Sequence, residues 1–397
     1  MAWNQKEFYI STFFCCTGNG TENQKKCLIA AKRNGLNMVE FSFNNHEIAE
    51  SGMAICEEIG LNYIATDMDR FTGGKTILDP EKDENLIKEI VDEKINNKYM
   101  VGYYTWDEVG RNNFERVRGI NDLFSKYDPE RLPFSLIYPS YGMYNWDKGE
   151  ANWQENTYAQ YVEDYIKIID PPVLCVDYYP FLPAWFEDKL IENDIWRDMG
   201  LMHFLADKYN KPFWFYVQSV ELGPDVVGRL TQEKIQVQLM SALAYDAKCI
   251  SYYIATNYLY DFNGNDTDRS ESGKYINKRV MTYGTYLFDK KITHLYHTGL
   301  DAKFNNIYFL DDINSSDLIA SATDGMIIGE YDSEESIALM LVNKDYDNSL
   351  DTNIKLKSAK DIYVLNGNNG ELELLAENTL DISVVLGAGD GTLLILK

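Results

Sequence analysis

A chain of 397 residues is long enough for a barrel of roughly 250 residues plus a further module of roughly 100. Its 37 Lys and Arg against 62 Asp and Glu leave a formal charge of −25. That field repels phosphate backbones and anionic bilayers, which excludes nucleic acid and the membrane surface as partners.

From Phe8 onward short apolar runs alternate with amphipathic stretches, eight times over. Phe8–Phe14 is the first strand; a helix from about Thr21 turns Cys27, Leu28 and Ala31 inward and stops at Asn34-Gly35. Leu36–Phe43 is the second strand, and its helix aligns Ile48, Gly52, Ile55, Cys56 and Ile59. After the third strand, Leu61–Asp67, a polar loop leads to a helix opened by Asp83. Leu86, Ile87, Ile90, Val91 and Ile95 give that helix the clearest three-and-four spacing in the chain. The fourth run, Tyr99–Tyr104, leads into Thr105-Trp106-Asp107-Glu108, and its helix aligns Phe114, Val117, Ile120, Leu123 and Phe124. Leu132–Tyr138 is the fifth strand, followed by an aromatic loop and a helix carrying Tyr158, Tyr161, Val162, Tyr165 and Ile169. The sixth, Val173–Val176, runs straight into Asp177-Tyr178-Tyr179-Pro180, and its helix groups Ile195, Met199, Met202 and Leu205. Phe213–Val217 is the seventh strand, ending at Gln218 with Glu221 three residues on. Thr231 caps the next helix, Ile250–Ile254 is the eighth strand, and a last helical pattern extends toward His294 and His297.

Strands too apolar for a one-sided sheet, each followed by a helix, predict a closed (β/α)8 barrel of the TIM type over residues 1–298. An open doubly wound sheet is the alternative, but Cys15–Gly20 lacks the G-x-G-x-x-G phosphate turn such sheets carry after their first strand. Beyond Thr298 short strands dominate: Phe304–Leu310, Met326–Tyr331, Ser336–Asn343, Ile354–Leu356, Ile362–Leu365, Leu372–Ala376, Ile382–Leu386 and Thr392–Leu396. They predict a small antiparallel β-sandwich over 299–397 that packs on the barrel.

The six cysteines include no C-x-x-C pair and mostly lie in apolar runs, so they read as reduced core thiols. The four histidines show no ligand spacing, and neither a metal nor another cofactor is expected. The N-terminus lacks the apolar core of a signal peptide and no run reaches membrane-spanning length, so the expected location is cytoplasmic.

In a barrel of this kind the chemistry sits at the carboxyl ends of the strands. Collected there are Glu40, Asn44 and Asn45; Asp67; Trp106, Asp107 and Glu108; Tyr138 and Tyr141; Asp177, Tyr178 and Tyr179; Gln218 and Glu221; and Tyr253, Thr256 and Asn257. Aromatic faces stack on pyranose rings while amides and carboxylates bind hydroxyls, so the group reads as a sugar pocket, and the chain's negative charge favours a neutral glycan. Asp107 and Glu108 beside an indole suit acid/base work on a glycosidic bond: a carboxyl in apolar surroundings next to another acid keeps its proton. The competing reading makes the two acids a helix cap. Glu40 likewise reads either as a pocket residue or as a paired core acid.

The blocks Gly102–Glu108, Val176–Phe181, Pro212–Ser219, Gln238–Tyr245 and Ile250–Tyr253 resemble those of barrel glycoside hydrolases and glycosidase-like proteins of gut bacteria, of the beta-galactosidase type with a C-terminal β-sandwich. The resemblance implies that Glu108 is the proton donor. Its partner would be Asp177 or Glu221, with Asn44, Asp67, Trp106, Asp107, Tyr138, Tyr178, Tyr179, Gln218 and Tyr253 contacting the sugar. Gln218 stands where the retaining clan has its nucleophilic glutamate, and Val109 where proline often follows the acidic pair. The alternative is a sugar-binding barrel without catalysis. A metal-dependent isomerase or lyase is disfavoured by the lack of clustered ligands.

Overall fold

The computed structural model describes residues 3–14, 20–41, 46–66, 71–72, 75–141, 158–181, 191–220, 230–299, 310–333 and 336–397. The chain divides into two compact units. The first is Met1–Tyr178, Leu205–Val220 and Ser251–Glu271; the second is Tyr179–Phe204, Glu221–Ile250 and Ser272–Lys397.

Ten strands open the sequence: β1 (Tyr9–Phe14), β2 (Met38–Phe41), β3 (Asn62–Ala65), β4 (Phe71–Thr72), β5 (Lys75–Thr76), β6 (Met100–Trp106), β7 (Leu132–Ser135), β8 (Leu174–Tyr178), β9 (Phe213–Gln218) and β10 (Ala247–Tyr253). Eight form a barrel. The sheet runs β6-β3-β2-β1-β10-β9-β8, with β7 on the free side of β6. Pairing is parallel from β1 to β2, β2 to β3, β3 to β6, β6 to β7 and β8 to β9. Ile137 then bridges Val176 in parallel, and its N–H donates to the Cys175 carbonyl at 3.0 Å, bringing the segment after β7 against β8 and closing the ring. The predicted TIM-type barrel is the fold found. The sequence reading did not anticipate the hairpin β4–β5, which sets Lys75 antiparallel to Trp106.

Helices follow the strands as the periodicity predicts: α1 (Gly20–Arg33), α2 (His46–Ile59), α3 (Glu84–Lys94), α4 (Phe114–Tyr127), α5 (Tyr158–Ile169), α6 (Ile191–Lys208), α7 (Gln232–Ala244) and α8 (Ser270–Leu287). On α3 the buried stripe is Ile87, Ile90 and Val91; on α4 it is Phe114, Val117, Ile120 and Phe124. Inside the barrel, alternate residues point to one centre and aromatic rings meet across it. Tyr9 lies 6.0 Å from Trp214, Phe134 5.5 Å from Trp214, Tyr104 5.1 Å from Phe134, and Phe13 6.5 Å from Tyr104. The interior is therefore packed, and only its strand ends can bind a ligand.

The second unit holds a seven-stranded antiparallel sheet of β11 (Lys291–His297), β12 (Ile319–Ala322), β13 (Met326–Ser333), β14 (Ser336–Asn343), β15 (Leu350–Leu365), β16 (Leu372–Leu386) and β17 (Gly391–Leu396), ordered β11-β13-β14-β17-β15-β12 with β16 against β15. Within this unit α7 and α8 pack on the sheet: the Tyr331 hydroxyl donates to the Leu243 carbonyl at 2.5 Å and Arg279 Nη1 pairs with Asp390 at 2.8 Å. Thr231 caps α7 as expected, accepting from the Lys234 N–H.

Three sequence expectations are corrected. Lys291–His297 is a strand, not a helix end; a bulge between Ile292 and His294 breaks its alternation and disguised it. The four short segments between Ile354 and Leu386 belong to two long strands, whose bulges around Lys355–Ile362 keep them paired through polar stretches. Cys27 is disulfide-bonded, whereas the buried Cys56, Cys175 and Cys249 form no disulfide. Spacing along the chain does not reveal which cysteines the fold brings together. The expected strand Phe304–Leu310 lies outside the described residues except for Leu310.

Candidate active site

Every residue of β6 is buried, and the strand delivers Trp106, 2 % exposed, to the barrel's carboxyl end. The chain then turns sharply. The Leu136 N–H donates to the Trp106 carbonyl at 3.2 Å and the Val109 N–H to the Leu136 carbonyl at 2.9 Å, pinning both ends of the Asp107-Glu108 step. Arg116 spans the outer side, its guanidinium 5.4 Å from the Trp106 ring and Nη2 donating to the Leu78 carbonyl at 2.9 Å. Glu108 adopts a left-handed backbone, φ 51°, which costs a residue with a side chain on the order of 1 kcal/mol and is held by the surrounding bonds.

Neither acid caps a helix. The 3-10 turn Arg111–Asn113 is capped by Gly110 and α4 by Asn113, neither through a side-chain bond, so the cap reading of Asp107 and Glu108 fails. Both acids are half-buried. The Tyr104 hydroxyl donates to Asp107 Oδ1 at 3.0 Å, fixing that carboxylate over the barrel interior.

Beneath them sits Glu40, on β2 and fully buried. Burial pushes its carboxyl up to about 7; the Ser11 and Ser251 hydroxyls partly oppose this, and the charge of Asp107 adds to it. Neither carboxyl oxygen makes a well-formed hydrogen bond, nor do the hydroxyls of Ser11 and Ser251 among the described residues. Among the described residues no cation offsets that burial. The paired-core-acid reading of Glu40 is thus corrected: β1, β2 and β10 bring two serines to it, not a lysine or arginine. Tyr104, fully buried, feels Glu40 and Asp107 together, and burial followed by those charges holds its hydroxyl protonated as a donor. The sequence shows Glu40 only as a lone acid inside Met38–Phe41; the register that sets it beside Ser11, Ser251 and Asp107 is a product of barrel closure.

Around the ring, Asp177 is the penultimate residue of β8, 7 % exposed and in register with Tyr216. Tyr178 is fully buried with Tyr141 edge-on at 5.0 Å. Tyr138 is anchored through its backbone, its carbonyl accepting from the Tyr158 hydroxyl at 2.8 Å. Gln218 ends β9 fully buried, its amide donating to the Val220 carbonyl at 3.2 Å. Tyr253 ends β10 with its ring 5.8 Å from Phe13, and Ser219 donates to the carbonyls of Tyr253 and Ile254 at 2.5 and 3.1 Å. Ile254, φ 62°, and Asn257, φ 68°, repeat the left-handed strain of Glu108 at a second strand end. Tyr179, half-buried, follows β8. Asn44, Asp67 and Glu221 lie outside the described residues. Among the described residues no three His, Cys, Asp or Glu side chains form a group that could hold a metal ion, and no helix is long and apolar enough to cross a membrane.

No protein-family model matches the chain, and no curated protein matches it. Solved structures do match its fold. A glycoside hydrolase family 5 from Bacteroides vulgatus aligns over 98% of this chain and 89% of its own, with TM-score 0.59 and 10% identity. A catalytic mutant of a GH42 beta-galactosidase from G. stearothermophilus aligns over 99% and 98%, with TM-score 0.58 and 9% identity. An alpha-amylase from Geobacillus thermoleovorans, complexed with acarbose, aligns over 99% and 99%, with TM-score 0.54 and 10% identity. At such identities the likeness establishes the shared barrel-and-sheet fold.

Proposed function

We propose that the chain is a glycoside hydrolase acting on a neutral glycoside or short oligosaccharide, with Glu108 as the proton donor. The observation that carries this reading is the end of β6. Two adjacent carboxyls stand beside a buried indole in strained backbone, one oriented by Tyr104 and neither used as a cap. The fold's occurrence among glycoside hydrolases supports it. In this proposal Asp177, which lies within β8 one residue before its carboxyl end, ranks above Glu221 as the second carboxylate. Asn44, Asp67, Trp106, Asp107, Tyr138, Tyr179, Gln218 and Tyr253 bind the sugar, with Tyr178 among them. The barrel, residues 1–298, is the catalytic domain and residues 299–397 the sheet module, with Lys291–His297 joining the sheet. A separation of about 5 to 5.5 Å between the two carboxyls corresponds to retention, and about 6.5 to 9.5 Å to inversion.

A second reading, a sugar-binding barrel without catalysis, is favoured by one observation: the amide Gln218 ends β9, where a retaining nucleophile would stand, and turns back to the Val220 carbonyl. A panel of nitrophenyl glycosides, with calorimetric sugar binding alongside, separates the two. Turnover that falls by about 100-fold or more in Glu108→Gln while binding persists is the expected result for a general acid. Binding without turnover selects the second reading, and undiminished turnover in Glu108→Gln removes Glu108 from its role. The cytoplasmic location belongs to this proposal too, and the Cys27 disulfide weighs against it.

A further inference from the structure

At the opposite ends of the same strands, the starts of β1, β3, β6 and β7 surround a cleft of about 170 Å3. Its inner side is aromatic: Tyr9 and Trp3 line it, and both rings pack edge-on against Trp214, at 6.0 and 6.2 Å. Three cationic side chains, Lys6, Lys98 and Arg131, line the same concavity with one acid, Glu130.

Several lysines elsewhere in the molecule meet carboxylates: Lys94 meets Glu50 at 2.9 Å, Lys126 meets Glu84 at 2.6 Å and Lys208 meets Glu163 at 2.9 Å. Lys6, Lys98 and Arg131 make no ion pair among the described residues. The acids at the margin are engaged with uncharged donors. Glu57 accepts the backbone N–H groups of Lys98 and Tyr99 at 3.0 and 2.8 Å, and Glu7 accepts from Asn62 at 3.1 Å. Arg131 is held in place by a 2.7 Å bond from Nη2 to the Asn97 carbonyl, while its Nε is buried with no hydrogen-bond partner among the described residues. Lys98 rests its ammonium 5.1 Å from the Tyr99 ring centroid.

Like charges gathered on one small concavity repel, and an oxyanion placed among them reverses the sign of that interaction. The aromatic wall and the Asn4 and Asn62 amides beside it match a sugar ring, whose C–H face stacks and whose hydroxyls take amide bonds. We propose that this cleft binds a small oxyanion-bearing sugar, a sugar phosphate or a sugar acid, independently of the acids at the carboxyl end of the barrel. A chain whose overall field disfavours anions would admit one where three cations share a concavity with a single acid.

Calorimetric titration of the full chain with glucose 6-phosphate, glucuronate and glucose tests this. Saturable binding of glucose 6-phosphate, of glucuronate or of both is expected, and which of them binds identifies the oxyanion; glucose should not bind at this cleft. The Lys6→Gln/Lys98→Gln double variant should weaken the anionic sugar by about tenfold or more, as loss of charge-assisted contacts does. Glu108→Gln should leave that binding unchanged, which separates this cleft from the proposed active site. Arg131 is left in place in the double lysine variant, because its 2.7 Å bond to the Asn97 carbonyl makes it the cation whose loss could disturb the fold. The proposal is overturned if neither anionic sugar binds saturably, if glucose competes equally, or if the double lysine variant binds as the wild type does.

Discussion

At the scale of single residues, the acid that the barrel buries deepest makes the sharpest prediction. Glu40 has its carboxyl raised to about 7 from an ordinary 4.5, chiefly by burial. The folded state therefore holds this proton more tightly than the unfolded chain does. Its contribution is fully present below about pH 4.5 and is lost as pH rises through 7, a change on the order of 3 kcal/mol. Glu40→Gln keeps the shape and removes the titration. Urea unfolding at pH 5 and pH 8 should find the wild type losing stability across that interval and the variant losing less by roughly that amount. Equal losses in both proteins would show that Glu40 is ionised throughout. Sequence exposed the acids Asp107 and Glu108 because they break an apolar run at its end. Glu40 was visible as a lone acid inside an apolar run, but not its surroundings, since Ser11, Ser251 and Asp107 reach it from β1, β10 and the turn after β6, far apart in the chain.

At the scale of elements, the barrel depends on how closely β6 and β7 approach. A Cβ on Gly102 would come within 2.1 Å of the Leu132 carbonyl oxygen, a backbone atom with no rotamer by which to yield. Gly102→Ala should destabilise by at least about 2 kcal/mol, the upper range of overpacking, and displace the acids that β6 carries. Gly370→Ala is the control: its Cβ meets nothing closer than 3.9 Å, and only its φ of +75° resists, at about 1 kcal/mol. Comparable urea midpoints for the two variants would refute the close-approach argument. Elements with uninterrupted periodicity, such as α3 and α4, were legible because their apolar stripe alone decides what they bury. Those whose pattern is broken by a bulge, such as β11, were not, because partner pairing rather than local spacing sets their state. The hairpin β4–β5 was hidden for another reason: two strands of two residues are too short to show any period.

For the whole molecule, charge was legible from composition and covalent topology was not. A formal charge of −25 is a sum over residues and needs no fold, whereas a disulfide needs two sulfurs brought together by one. Cys27 is disulfide-bonded, and since one disulfide takes two of the six cysteines, four thiols are expected. Three of those four, Cys56, Cys175 and Cys249, are buried, and burial also raises the Cys56 thiol well above its ordinary range, so the native protein should react slowly with alkylating reagents. In denaturant without reductant, mass measurement should find four alkylated thiols, and six after reduction. That result places the folded chain in an oxidising compartment and sets aside the cytoplasmic expectation, because cytosolic thiol pools keep such pairs reduced. Six alkylated thiols before reduction would restore it, and would show that Cys27 is held near its partner without a bond.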